Sequence, residues 1–234
     1  MKKIIIPFLL IVLFLIGGCQ KTTIDTYNQD FFAMDTYITV QIVTDDIKLA
    51  EAGFRAVEKA FLSIDHLTNR FQSDSEVTAV NEQAGIGPVQ VSKDVFALVE
   101  TSLEWSDKTD GVFNILVGSV MDLWGFGTEN SRIPAEEELA AALDLMDLRA
   151  IILDDEKSTI YLPEKGMVLD LGGVAKGYAT DKAVEVLNEL GIKNALINAG
   201  GNVYALGKKA DGTAWKVGVQ APRDPQGIAA VLVV

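Results

Sequence analysis

The stretch spanning residues 167–181, MVLDLGGVAKGYATD, limits what this chain can fold into more than any other. An apolar run, Met167, Val168 and Leu169, ends in Asp170, passes Gly172 and Gly173, and opens a helix expected to continue to Leu190. A strand that turns on glycines into a helix can offer free backbone N–H groups and a positive dipole end to an anion. Lys176 adds a mobile cation near the first turn, and Asp170 offers an acceptor for a ribose, a base edge or a metal. The spacing is neither GxGxxG nor GxxxxGK(S/T), so neither nucleotide fingerprint applies. A plain glycine-bearing turn between strand and helix accounts for the stretch equally well when it is taken alone.

The chain begins with an address. Lys2 and Lys3 form a short positive region, residues 4–16 are apolar, and Leu15-Ile16-Gly17-Gly18-Cys19 follows. The apolar run is shorter than the roughly 18–20 residues a membrane span needs. Small residues before the single cysteine resemble a lipobox, with cleavage ahead of Cys19 and lipid on its thiol. An ordinary secretory signal with a stray thiol is the alternative. The expected organisation is a signal over 1–18, a tether over 19–30 and a folded domain over 31–234, placed outside the cytoplasm and anchored to the bacterial cell membrane. One cysteine permits no disulfide within the chain. The net charge of −13, with 33 acidic residues against 20 basic ones, argues against nucleic acid and against adhesion to anionic lipid. The Cys19 lipid is therefore the expected anchor.

Alternating Phe32, Met34, Ile38, Val40 and Ile42 predict one half-buried strand over 31–43. Apolar residues stepping by threes and fours predict a long helix over 46–68, with the only histidine, His66, near its end as a surface residue or dipole partner. Ser75 and Ser92 have the position of N-caps for two more helices, the second over 93–108. Leu123-Trp124-Gly125-Phe126-Gly127 is either core and turn or a frame for a flat ring. Short strands are expected over 151–153, 159–162 and 167–170, then the helix over 174–190 with Gly191 just past its end. Strands over 195–197, 203–206 and 215–220 lead to a last apolar strand, 228–234, which wants partners on both sides. The chain thus reads as one that stops inside a domain.

Six blocks in order resemble the ApbE family, extracytoplasmic FAD:protein FMN transferases. They are Phe32-Ala33-Met34-Asp35-Thr36; 70–81 (RFQSDSEVTAVN); 109–114 leading to 123–127; 170–181 (DLGGVAKGYATD); Asn198-Ala199-Gly200-Gly201; and 215–222 (WKVGVQAP). The resemblance implies an α+β, two-lobed fold with the flavin nucleotide between the lobes. It implies transfer of FMN from FAD to a Ser or Thr hydroxyl of a target protein, with release of AMP and with Mg²⁺ as cofactor. Carried over by position, Met34 packs against the nucleotide and Phe71 stacks on FAD. Val112, Phe113 and Asn114 line the pocket, Asp170 and Lys176 hold the nucleotide, and Gly173 gives its carbonyl to the metal. Partners implied are FAD and flavoprotein subunits of membrane redox complexes.

Two departures concern single residues: Asp35 stands where many members have Gly, and Asn114 where many have Asp. The third is larger. In the family a further segment carries a His and side-chain metal ligands, and none of it follows Val234. A flavin-binding lipoprotein without transfer, or a FAD pyrophosphatase, is the alternative reading.

Overall fold

The computed structural model describes residues 23–126 and 128–234; Cys19, the lipobox and the first part of the tether lie outside them. Among the described residues no helix is long and apolar enough to cross a membrane.

Two hydrophobic cores lie side by side, giving an α+β fold of two lobes. The first lobe begins with β1 (Asp25–Ala33) and β2 (Thr36–Thr44), an antiparallel hairpin paired from Asp25–Thr44 to Ala33–Thr36. The single strand expected over 31–43 is therefore two strands, and residues 25–30, expected in the tether, belong to the first of them. The chain reverses at Met34 and Asp35, whose φ angles of 53° and 56° are both left-handed, as a two-residue hairpin turn of primed type demands. The reversal changes the phase of the alternation. Phe31 and Ala33 point into the core, while Phe32 is 59% exposed and packs edge-on against Tyr37 across the hairpin.

Helix α1 (Ile47–Thr68) follows, capped by Asp46, whose side chain accepts from the Lys48 amide at 2.8 Å. It buries Phe54, Val57, Phe61 and Ile64 against the sheet. Gly53 sits where the helix comes closest to its neighbours: a Cβ there would lie 2.6 Å from Ile192 and 2.7 Å from Ile42. The second lobe is inserted next. It contains α2 (Glu76–Glu82), β3 (Val89–Gln90), α3 (Lys93–Lys108), α4 (Gly118–Trp124), α5 (Glu136–Asp144), β4 (Ile152–Asp154) and β5 (Thr159–Tyr161). Ser75 and Ser92 accept from the Thr78 and Val95 amides, as expected of N-caps. The three short strands form a sheet of order β3-β5-β4.

Residues 167–170 are not a strand. Met167, Leu169 and Leu171 are buried, but a side chain takes the place of a neighbouring strand. The Asn81 amide accepts from Leu169 N at 2.7 Å and donates to Leu169 O at 3.0 Å, and Asp170 N donates to Ile115 O at 2.8 Å. Buried backbone groups need such partners wherever no ladder supplies them.

The chain then returns to the first lobe through α6 (Ala175–Glu189). Gly191 ends it at φ 81°, with Ile192 N bonded to Leu187 O and Gly191 N to Asn188 O, a Schellman closure. Strands β6 (Ala195–Ala199) and β7 (Asn202–Leu206) complete a four-stranded antiparallel sheet of order β1-β2-β6-β7. The last hairpin is β8 (Lys216–Ala221) with β9 (Asp224–Val233). Strand β9 starts earlier than the apolar run predicts and pairs with β8 alone among the described residues. Ile228, Val231, Leu232 and Val233 are more than half exposed.

Replacing Asn81 with Ala strips two buried backbone groups of their partners, an expected loss of about 2–4 kcal/mol. Urea unfolding checks this: the midpoint should fall at unchanged slope. A shift within experimental error would show that Asn81 does not hold the segment.

Candidate active site

Three pieces of chain meet at the seam between the lobes. The β1–β2 turn brings Met34 and Asp35. The end of α1 and the loop after it bring Asp65, Thr68, Asn69, Arg70 and Phe71. The approach to α6 brings Asp170, Gly172, Ala175 and Lys176. Together they line a cavity of about 100 Å³, which gathers four of the residues expected from the sequence, Met34, Phe71, Asp170 and Lys176.

A relay of short polar contacts sets the cavity's first wall. Asp65 accepts from the strained Met34 amide at 3.1 Å with one carboxylate oxygen and from the Asn69 side chain at 3.3 Å with the other. Asn69 in turn accepts from Phe71 N at 3.1 Å, an Asx turn that fixes where Phe71 leaves the chain. Left-handed backbone at a non-glycine residue is costly and persists where its surroundings hold it, as Asp65 does here. Phe71 itself is 76% exposed.

Asp170 is engaged on both oxygens. Its Oδ1 accepts from Gly172 N at 2.9 Å and its Oδ2 from Arg70 Nε at 2.8 Å. The carboxylate thus shapes the glycine turn as well as facing the cavity. Arg70 reaches a second carboxylate, Asp122 of α4, through Nη1 at 2.8 Å, and its guanidinium carbon lies 4.3 Å from the centre of the Phe71 ring.

The anion cradle expected at this turn is partly closed. Gly172 N is taken by Asp170, and the Val174 and Ala175 amides both donate to Leu171 O. Among the described residues the Gly173 amide and carbonyl and the Lys176 ammonium have no hydrogen-bonding partner. Lys176 also lines a larger cleft of about 500 Å³ beyond the turn, with Thr101 and Trp105 of α3 and Tyr178 and Asp181 of α6. A third cleft of about 280 Å³ brings Phe113 against Gly173 and Trp105. The Phe113 ring lies 3.1 Å from where a Gly173 Cβ would stand, so a side chain there would push the ring back by a few tenths of an ångström.

Val112 and Asn114 line none of these clefts. Val112 is 88% exposed. The Asn114 amide is spent on structure, donating to Met146 O and accepting from Leu116 N, both at 2.8 Å. Trp124 and Phe126 stack on each other, 5.6 Å apart with ring planes 4° from parallel. His66 is half-exposed and 4.0 Å from Asp74. For magnesium the fit is incomplete. Gly173 offers one carbonyl, and no three of His, Cys, Asp or Glu gather as a metal centre among the described residues.

Sequence reasoning passed over Arg70, Asp65, Trp105 and Tyr178. Arg70 adjoins Phe71 within a quoted motif, yet its partners lie at Asp122 and Asp170, too distant in sequence to be read. Tyr178 ties the lobes, since its hydroxyl donates to Asp94 of α3 at 2.7 Å and its ring packs against both cores. Burial and the Asp94 carboxylate push the Tyr178 phenol up to about 12.

The chain matches the profile described as the ApbE family over residues 34–234. It is 31% identical over 196 residues to the FAD:protein FMN transferase of Klebsiella pneumoniae (strain 342), covering 84% of this chain and 59% of that protein. It is 31% identical over 229 residues to the FAD:protein FMN transferase of Treponema pallidum (strain Nichols), covering 91% and 62%. The chain thus spans about three-fifths of the length of these curated relatives. The ApbE protein of Thermotoga maritima superimposes with a TM-score of 0.83 at 27% identity, over 90% of this chain and 68% of that one. The flavin transferase ApbE from Vibrio cholerae has a TM-score of 0.78 at 21% identity, over 85% and 65%, a likeness of fold.

A raised phenol pKa stabilises the fold fully below the unfolded value, about 10, and this contribution is lost as pH rises through the folded value. A phenol step near pH 12 in an ultraviolet titration should belong to Tyr178. Tyr178→Phe should remove that late step. Loss of an ordinary step near 10 would refute the assignment.

Proposed function

The chain belongs to the ApbE family, and we propose that its seam site binds FAD for the transfer of FMN to a Ser or Thr hydroxyl of a target flavoprotein. One observation carries the proposal: an aromatic face open to solvent, Phe71, stands in the same cavity as Lys176, a cation with no protein partner among the described residues. A flat isoalloxazine ring suits the first, and a pyrophosphate suits the second together with the neighbouring Gly173 amide. In a chain of net charge −13, a cation left unpaired beside a turn is a specific attractor for a small anion.

The chemistry is a substitution at phosphorus. The acceptor hydroxyl oxygen bonds to the FMN-side phosphorus, the pyrophosphate P–O bond breaks, and its electron pair leaves with AMP. The hydroxyl proton passes to solvent. Such transfers depend on positioning and on neutralising charge more than on covalent help from the protein. Lys176 contributes charge, Phe71 holds the ring, and Met34 closes the inner wall. Magnesium is part of the proposal through the family likeness; the described residues offer it only the Gly173 carbonyl, and no step is routed through it. The reading extends to a lipid-anchored protein outside the cytoplasm, held through Cys19, with subunits of membrane redox complexes as targets.

Incubation with FAD, Mg²⁺ and a target flavoprotein subunit should add the mass of FMN to the target and release AMP. Lys176→Met should weaken FAD binding about tenfold to a hundredfold, the value of a hydrogen bond to a charged group. Tight FAD binding without adduct or AMP would replace transfer by flavin storage. Free FMN and AMP formed without an acceptor would indicate a pyrophosphatase. No binding of FAD would overturn the reading.

A further inference from the structure

Arg70 is one of the least exposed charged side chains in the site, with 10% of its side chain accessible, and it contacts three different segments. Its Nε meets Asp170, its Nη1 meets Asp122, and its guanidinium lies over the Phe71 ring at 4.3 Å. Consecutive residues ordinarily send their side chains apart; here the guanidinium stands over the neighbouring ring. One face of Phe71 is therefore occupied from within by a cation held by two carboxylates, while the residue remains 76% exposed. A forked cation can reach two separate carboxylates while its charge stands over a ring; a lysine supplies a point charge.

We propose that Arg70 is a positioning residue that fixes the stacking platform for the flavin ring and sets its separation from the phosphate-binding turn. The proposal rests on FAD binding at this site. The two halves of the site share this one group. Through the ring, the guanidinium fixes Phe71. Through Asp170, whose other oxygen holds the Gly172 amide, it ties the turn that carries Gly173 and Lys176 to the ring. A ligand that uses both halves, ring and pyrophosphate, feels their spacing. A ligand that uses only the turn does not.

The test compares FAD with ADP, which has the pyrophosphate but no flavin, binding to the full chain by calorimetry. Arg70→Lys should weaken FAD about tenfold, the scale of a lost partly desolvated cation–π contact, and change ADP binding less than about threefold. The visible absorption of bound FAD should shift towards that of free FAD. In a Phe71→Leu background the Arg70→Lys change should add less than about twofold, because the platform is already gone. Asp122→Asn, at a half-exposed carboxylate outside the cavity, leaves the fold in place and loosens one arm of the fork. It should give the same pattern in smaller measure. Equal losses for FAD and ADP, an unshifted spectrum with wild-type affinity, or full additivity with Phe71→Leu would each overturn the proposal. If the unmodified chain binds no FAD, the functional reading falls and this inference with it. If it binds FAD and only the variant pattern is missing, the inference falls alone.

Discussion

The site depends on a piece of chain that is buried without belonging to a sheet. Met167, Leu169 and Leu171 anchor their side chains in the second core, and each such burial is worth roughly 1.5–3 kcal/mol. That gain stands only if the backbone between them is satisfied, and the Asn81 side chain does this for Leu169 with a paired donor and acceptor. Asp170 emerges next, hung from Ile115 O, and everything that faces the cavity from this side follows from its position. The glycine turn, Lys176 and the start of α6 are thus registered against the second lobe, although α6 packs in the first.

The long helices were legible because each carries its own punctuation. Ser75 and Ser92 cap the starts that their side chains announce, and Gly191 closes α6 where the apolar periodicity stops. The hairpin at Met34 and Asp35 was not legible. Neither residue is the Gly or Asn that normally signals left-handed backbone, and the apolar alternation runs through the turn as though one strand continued. The 167–170 run misled in a related way. Its apolar residues are buried as in a strand, but its hydrogen-bonding partner is an amide side chain, which no periodicity reveals.

Within the site, sequence motifs located the loops better than they assigned the side chains. Met34, Phe71, Asp170 and Lys176 do share one cavity, while Phe113 and Gly173 face the next cleft. Val112 and Asn114 lie in the same loop as Phe113 but turn to solvent and to Met146 instead. Asp170 was expected as an acceptor for the nucleotide, and its engagement by Arg70 depends on two residues that only the folded chain brings together. Such long-range pairs are the part of a site that local pattern cannot supply.

The strand order β1-β2-β6-β7 carries a kinetic meaning. The ladder joining Ile38 to Ala199 closes a loop that holds the whole second lobe, so the first lobe's sheet cannot form from neighbouring residues alone. Closing a long loop costs entropy that is smaller if the intervening chain is already compact. The second lobe, whose own sheet joins Val89 to Ile160, lies wholly inside that loop, so folding it before the ladder closes would ease the closure, with the β1–β2 hairpin and α1 beside it. Docking of α6, β6 and β7 comes last in this sequence. The candidate site lies where that late docking occurs, so it would come into being together with the final folded chain.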